Sequence, residues 1–169
     1  MSHWTLRLLR HRLVDESDAR AVLGPEALAR IEAHVAASER RHRGEIRVVV
    51  EAGLPLSYLR RSASARDRAV ALFGKLGVWD TEANNGVLVY LLLAERAIEI
   101  VADRGLNRVV GADEWAAIAA EMKSAFQARD FEGGLMRAID AVDALLVRHF
   151  ATRPGDVDVN ELPDAPLLR

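Results

Sequence analysis

Residues 85–105 read NGVLVYLLLAERAIEIVADRG, and this stretch predicts two strands joined by a tight turn. Residues 87–93 are continuously apolar, as in a strand that is covered on both faces. The polar turn at 94–96 follows, and residues 98–103 then alternate in polarity, which suits a strand nearer the edge of a sheet. The stretch therefore predicts a central hairpin with helices packed against it.

The hairpin also predicts which end of the sheet carries candidate functional side chains. Because its strands are antiparallel, the start of the first strand, at Asn84 and Asn85, lies at the same end of the sheet as Asp103, which closes the second. Polar side chains then converge where a buried sheet meets solvent. We expect any functional site at this end.

The flanking sequence predicts helices on both faces of the sheet. Pro25 opens a helix whose basic C-terminus precedes Gly44, and residues 45–51 form a short β-branched strand. Ser57 is a candidate cap for one long helix, and Asp113 for another. A strand-helix-strand order favours a right-handed crossover between parallel strands. The expected fold is α/β: a three-layer α/β/α sandwich with a small mixed sheet flanked by helices on both faces.

Length and composition predict one domain with short additions. Half of the 169 residues are hydrophobic, which is enough to bury a proper core. We expect a helical or extended N-terminal segment at 1–24, the domain at 25–150 and a tail at 151–169. The tail mixes proline with acidic residues, a composition typical of an extended or disordered segment that adds no packed layer.

Composition also narrows the function classes. The chain has no cysteine, which excludes thiolate nucleophiles, disulfides and cysteine metal sites. A formal net charge of −2 argues against general nucleic-acid binding. No secretory signal and no membrane-spanning run is visible, so a cytoplasmic protein is the expectation.

The N-terminal segment allows two interpretations. It carries apolar side chains among arginines, namely Trp4, Leu6, Leu8, Leu9 and Leu13. Such a helix can touch an anionic lipid surface weakly, or it can pack on the domain. Packing is the expectation.

Three segments, taken in order, resemble the TPM-domain family. They are GEIR at 44–47, GVWDTEANNGVL at 77–88 and IEIVADRG at 98–105, and the resemblance covers roughly residues 25–150. The family includes thylakoid-lumen proteins implicated in photosystem II repair and many bacterial relatives. NELPD at 160–164 is similar to a tail of the soluble bacterial branch. The resemblance implies an α/β fold, with acid phosphatase activity or calcium binding as described activities.

Oxygen-bearing side chains are expected to meet at the end of the sheet that Asp103 closes. The candidate metal ligands are Glu45, Asp80, Glu82, Asp103 and Asp113. Oxygen ligands without histidine or cysteine favour Ca²⁺ or Mg²⁺ over Zn²⁺. Arg104 is a candidate phosphate-binding residue beside them. The plain alternative is that these carboxylates serve as helix caps and turn residues.

Two functions from different classes follow. The first is a non-enzymatic module that binds a divalent cation or a protein partner in the maintenance of a membrane-associated complex. The second is a metal-assisted acid phosphatase that hydrolyses phosphomonoesters with Asp80, Asp103 and Glu45 as ligands. The sequence shows no obvious nucleophile for the second.

Overall fold

The computed structural model describes residues 3–153, 155 and 160–169, and its elements alternate between helices and short strands. The helices are α1 (His3–Arg12), α2 (Glu16–Val22), α3 (Pro25–Glu39), α4 (Leu56–Arg60), α5 (Ala65–Lys75), α6 (Arg104–Asn107), α7 (Ala112–Gln127) and α8 (Phe131–Phe150). The strands are β1 (Ile46–Glu51), β2 (Val87–Leu92), β3 (Ala97–Ala102) and β4 (Leu167–Leu168), with a 3₁₀ turn at Leu93–Glu95 between β2 and β3.

The sheet is mixed, with strand order β3-β2-β1-β4. β1 runs parallel to both β2 and β4, with Val48 opposite Val89, whereas β2 and β3 pair antiparallel, with Val87 opposite Ala102. The predicted hairpin and the predicted parallel crossover are both confirmed. Arg96 takes a left-handed conformation, φ +48°, to close the turn.

Helices cover both faces of the sheet, which confirms the three-layer fold. One face packs against α2, α3, α7 and α8 through a core that includes Ile31, Val48, Phe126 and Leu146. The other face packs mainly against α4 and α5, around Leu72 and Tyr90. β1 and β2 are buried along their whole length, as expected for strands covered on both sides.

The long helix predicted from Ser57 is two helices. α4 begins after Pro55 and ends at Arg60, Ser62 is left-handed (φ 54°), and α5 begins after Ser64. Ser64 caps α5 in a capping box with Asp67, so the real cap lies seven residues beyond the predicted one. Periodicity alone did not reveal this break because apolar spacing continues through it.

The C-terminal residues pack more closely than their composition indicates. Leu162 is buried, and β4 adds a fourth strand beside β1. Arg169 donates its N–H to Val50 C=O at 2.9 Å and accepts the N–H of Ala52 at 2.8 Å. Proline is compatible with a short edge strand, so the apolar residues at 162 and 167–168 outweigh the proline and acidic content. Asp156 and Asp158 lie outside the described residues.

Removal of residues 166–169 is expected to lower the free energy of unfolding by about 1–3 kcal/mol. The deletion removes β4 and leaves backbone groups of Val50 and Ala52 without their partners. Urea denaturation of the full chain and the shortened chain measures the difference. Equal midpoints would show that these residues add nothing to the stability of the fold.

Candidate functional site at one end of the sheet

The strands β1 and β2 begin, and β3 finishes, at one end of the sheet, here called the Asp103 end. The N–H of Val87 donates to the C=O of Glu45 at 2.8 Å, and the N–H of Asp103 donates to the C=O of Gly86 at 2.9 Å. These main-chain bonds hold the three strand ends side by side. The polar residues that precede β2 and follow β3 are therefore fixed against a buried sheet.

Asp103 has one satisfied and one unsatisfied oxygen. Its Oδ1 accepts the N–H of Arg104 at 2.6 Å, because Asp103 is the N-cap of α6. Its Oδ2 is buried and has no hydrogen-bond partner among the described residues, although only 5% of the residue is exposed. A buried acceptor without a donor is costly, and more so when it carries charge. This oxygen is therefore a buried acceptor without a donor in the described structure.

Asn85 shows the same feature on the neighbouring strand. It is fully buried, its N–H donates to Thr81 Oγ1 at 3.1 Å, and its Nδ2 donates to the C=O of Arg43 at 2.7 Å. Its Oδ1 has no partner within the described part of the chain. The amide orientation is set by the bond to Arg43, which leaves the oxygen as the unsatisfied atom.

The loop before β2 and the start of α6 approach closely. Asn84 is left-handed (φ 53°), and its C=O accepts the N–H of Gly105 at 2.8 Å. A Cβ on Gly105 would lie 2.5 Å from that carbonyl oxygen, so position 105 requires glycine. Beside this contact lies a cleft of about 220 Å³ lined by Ala83, Asn84, Arg104, Gly105 and Arg108.

Arg104, the predicted phosphate-binding residue, does line this cleft. Its Nη2 donates to Asn84 Oδ1 at 3.2 Å, and its Nε lies 3.9 Å from Asp103 Oδ1. Arg108, one helical turn further, adds a second cation that the sequence analysis did not identify. The cleft is therefore cationic, whereas the unsatisfied oxygen of Asp103 is buried beside it.

The structure does not gather the other predicted ligands around Asp103. Glu45 accepts the N–H groups of Glu161 and Leu162 at 3.2 and 3.1 Å, on the β1 side of the sheet. Asp80 and Glu82 are exposed in the loop before β2, and Asp113 is exposed in α7. Asp113 lies in the first turn of α7, whose N-cap is Gly111. Within the described residues, no three His, Cys, Asp or Glu side chains are placed to hold one metal ion.

A further carboxylate near the start of β1 is perturbed. Glu39, at the end of α3, accepts the N–H of Ile46 at 2.8 Å and is only 8% exposed. Burial raises the pKa of Glu39 to about 9, and the charges of Glu45 and Asp164 add to the rise. Its carboxyl group is therefore protonated at neutral pH. Glu39 was not predicted as a site residue because it lies in a polar and charged run that is typical of an exposed helix face.

A buried cluster of Ser38, His42 and Asp143 has the composition of a hydrolase triad without its connectivity. Ser38 Oγ donates to Asp143 Oδ1 at 2.8 Å and lies 2.9 Å from His42 Nε2. His42 Nδ1 accepts the N–H of Gly44 at 3.2 Å, so that nitrogen has no proton to give to a carboxylate. In a triad the serine donates to histidine and histidine to aspartate. The cluster instead joins α3 to α8.

The donor set at the Asp103 end fits a hard divalent cation in part. Carboxylate and amide oxygens are the ligands that Ca²⁺ and Mg²⁺ prefer, and Asp103 Oδ2 and Asn85 Oδ1 are unsatisfied in the described structure. One carboxylate supplies little charge, so such a site would be weak. Asp103 is the residue that would hold the ion. Asn85 precedes β2 on the face of Val87, whereas Asp103 follows β3 on the face of Val101, so the two side chains lie on opposite faces of the sheet.

The fold and this end of the sheet define a class: an α/β/α sandwich with a parallel crossover, a buried hairpin and polar groups at the strand ends. A family model described as the TPM domain matches residues 17–145. The chain belongs to the TPM-domain family. The match begins in α2, before the predicted boundary at residue 25.

A solved structure supports this assignment. The chain is similar to the BA42 protein from the psychrophilic bacterium Bizionia argentinensis, whose structure was determined by NMR, with a TM-score of 0.75 and 27% sequence identity. The similarity covers 87% of this chain and 95% of BA42. A search of curated proteins finds no match.

Proposed function

We propose that this chain is a non-enzymatic TPM-domain module that binds a divalent cation, Ca²⁺ or Mg²⁺, at the Asp103 end of the sheet. The buried, unpartnered Oδ2 of Asp103 is the observation that supports the proposal. Asn85, just before β2, has a second buried oxygen without a partner in the described structure, at the same end of the sheet. A cation that binds there orders the strand ends and the start of α6, and presents them to a protein partner in a membrane-associated complex.

Hydrolysis of phosphomonoesters is less well supported. Metal-assisted hydrolysis requires a cation that both orients the phosphate and generates or positions a nucleophile. Arg104 and Arg108 could hold phosphate oxygens, but Glu45 and Asp80 do not join Asp103 in the described structure. Binding without turnover is the function that this arrangement favours.

A thermal melt with EDTA, and then with millimolar Ca²⁺ or Mg²⁺, tests the proposal. A ligand at one hundred times its Kd stabilises the native state by about 2.7 kcal/mol, which is several degrees for a domain of this size. We expect the wild type to shift and Asp103→Asn to lose the shift. Asparagine caps helices as well as aspartate, so the variant removes charge while keeping the cap of α6.

Asp113→Asn is the matched control, since Asp113 is an exposed carboxylate in the first turn of α7. The control is expected to shift like the wild type. A wild type that does not respond to either ion would refute cation binding, and an equal shift in Asp103→Asn would place the ion elsewhere.

A further inference from the structure

Helix α1 is held to the domain by polar side chains. Arg7 Nε lies 2.7 Å from Glu95 Oε1, and its Nη2 donates to the C=O of Ala63 at 2.7 Å. His11 is buried: its Nε2 lies 2.8 Å from Glu95 Oε1, and its Nδ1 accepts the N–H of Leu54 at 3.0 Å. The bonds from His11 and Arg7 lower the pKa of Glu95 to about 2. The face of α1 that carries Arg7 and His11 is therefore the inner one.

The leucines of α1 point largely the other way. Leu6, Leu9 and Leu13 are 51%, 49% and 70% exposed, respectively. Leu6 and Leu9 lie on one face of α1, and Leu13 follows the end of the helix, where its N–H donates to the C=O of Leu9 at 3.0 Å. An ordinary surface helix buries such a stripe against the core and exposes its arginines. The segment packs on the domain, as expected, but through Arg7, His11 and in part Leu8 rather than through these three leucines. The side chain of Trp4 lies outside the described part.

Cations lie at the hairpin turn, beside Arg10 of α1. Arg10, Arg96 and Lys123 line a cavity of about 490 Å³ at the hairpin turn, together with Val14, Leu93, Ala94 and Glu95. Arg12 is exposed at the end of α1. In the described structure none of these four cations has an ion-pair partner, and Glu95 is already held by Arg7 and His11. The surface is both apolar and positively charged.

We propose that this surface, formed by the leucine face of α1 and the cations at the hairpin turn, docks on a membrane rich in anionic phospholipid. The three leucines contact the acyl boundary, while Arg10, Arg96 and Lys123 bind headgroup phosphates. A leucine stripe flanked by arginine and lysine is the pattern of a helix that lies in the lipid interface. Because Leu6 and Leu9 share one face of α1 and Leu13 follows at its end, a planar apolar layer can cover all three together.

The acidic residues that follow α1 are engaged locally. Asp15 caps α2 by accepting the N–H groups of Ser17 and Asp18, and Glu16 pairs with Arg20 at 2.6 Å. α1 itself carries no acidic residue. The docking surface also lies at the opposite end of the sheet from Asp103, roughly 20 Å away along six-residue strands. It is therefore independent of the proposed cation site.

Co-sedimentation with vesicles tests the proposal, in EDTA so that no cation bridges protein to lipid. We expect the full chain to bind vesicles of equal parts phosphatidylcholine and phosphatidylglycerol, and not phosphatidylcholine alone. Binding is expected to weaken as salt rises, because the attraction is between surface charges. Failure here leaves the cation site untouched, since the melt with Asp103→Asn is a separate measurement.

Two double variants probe the two halves of the surface. Leu9→Ser with Leu13→Ser, and Arg96→Gln with Lys123→Gln, are each expected to reduce the vesicle affinity roughly tenfold or more. The matched controls, Val70→Ser with Val109→Ser and Arg60→Gln with Lys75→Gln, alter exposed residues elsewhere and are expected to bind as the wild type does. Circular dichroism checks that all four remain folded.

Four results would overturn the proposal. One is equal binding to neutral and anionic vesicles, and a second is no binding to either. Another is displacement by millimolar glycerol phosphate together with full binding by the leucine variant, which would assign the cavity to a small soluble anion. The last is a concentration-dependent dimer in light scattering that the leucine variant abolishes while vesicles have no effect, which would assign the surface to a second copy.

Discussion

Replacing Arg68 by alanine is expected to lower the free energy of unfolding by about 3–5 kcal/mol, because it removes the cation that hydrogen-bonds a buried carboxylate and leaves, among the described residues, only Arg169, whose Nε lies 4.0 Å from Glu51 Oε1. Arg68 Nε donates to Glu51 Oε2 at 2.9 Å, and its Nη2 also donates to Glu51 Oε1. Tyr90 donates its hydroxyl to the same carboxylate at 2.7 Å. Glu51 is 3% exposed and Arg68 8%, so water cannot replace the lost partner easily.

Urea denaturation measures this loss against Lys75→Ala, which removes an exposed cation from the same helix. The control is expected to change stability by less than about 0.5 kcal/mol. Combining Arg68→Met with Glu51→Gln is expected to recover much of the loss, because the buried charge is then absent from both partners. A loss below about 1 kcal/mol in Arg68→Ala would contradict the view that the pair is a buried ion pair.

The Glu39→Gln variant is expected to be more stable than the wild type at alkaline pH and similar to it at acidic pH. The pKa of Glu39 is about 9 in the folded protein, against an ordinary value of 4.5. A folded pKa above the unfolded one gives stability that is fully present below 4.5 and is lost as pH rises through 9. At pH 7 the wild type is expected to be about 3 kcal/mol less stable to unfolding, relative to Glu39→Gln, than it is at acidic pH. This follows from roughly 1.4 kcal/mol per pH unit above 4.5.

Glutamine reproduces the protonated carboxyl group, since its oxygen can still accept the N–H of Ile46. Urea denaturation at pH 5, 7 and 8 measures the divergence of the two stability curves. Glu32→Gln is the control, because Glu32 is exposed on the same helix, and its curve is expected to run parallel to the wild type. Parallel curves for Glu39→Gln as well would mean that Glu39 is ionised in the folded state.

The sheet could be predicted because its strands satisfy one simple condition. β1 and β2 are covered on both faces, and continuous apolar runs are the direct consequence of that burial. The antiparallel hairpin fixed which strand ends meet, so Asn84, Asn85 and Asp103 were correctly placed at one end. A shared strand end did not by itself bring the predicted ligand side chains together within the described residues.

Glu45 illustrates this difference between a shared end and a shared site. It begins the correct strand at the correct end, yet its carboxylate caps the N–H groups of Glu161 and Leu162 from the C-terminal segment. The C-terminal segment was expected to add no packed layer, so its hydrogen bonds to Glu45 could not be predicted from the sequence. Asn85 is the opposite case: it was not among the predicted ligands, yet it is buried with an oxygen that has no partner in the described structure. Its burial follows from packing around Gly44 and Arg43, which no local pattern reports.

Helix α1 shows why amphipathic periodicity does not by itself give orientation. The stripe of leucines and the stripe of Arg7 and His11 are both periodic. The polar stripe faces inward because Glu95 at the hairpin turn and the N–H of Leu54 provide matched partners for it. None of the helices in the described part of the chain has the length and apolarity needed to cross a bilayer.

The most direct test of the central claim, cation binding at Asp103, is an NMR titration of the ¹⁵N-labelled chain with Ca²⁺ and then Mg²⁺. We predict saturable shifts of the backbone amides of Asn85, Gly86, Asp103 and Arg104, and none at residues 93–96 on the opposite end of the sheet. Asp103→Asn should abolish these shifts. Amides at the Asp103 end that stay unmoved at millimolar cation, or shifts that survive the substitution, would contradict the account.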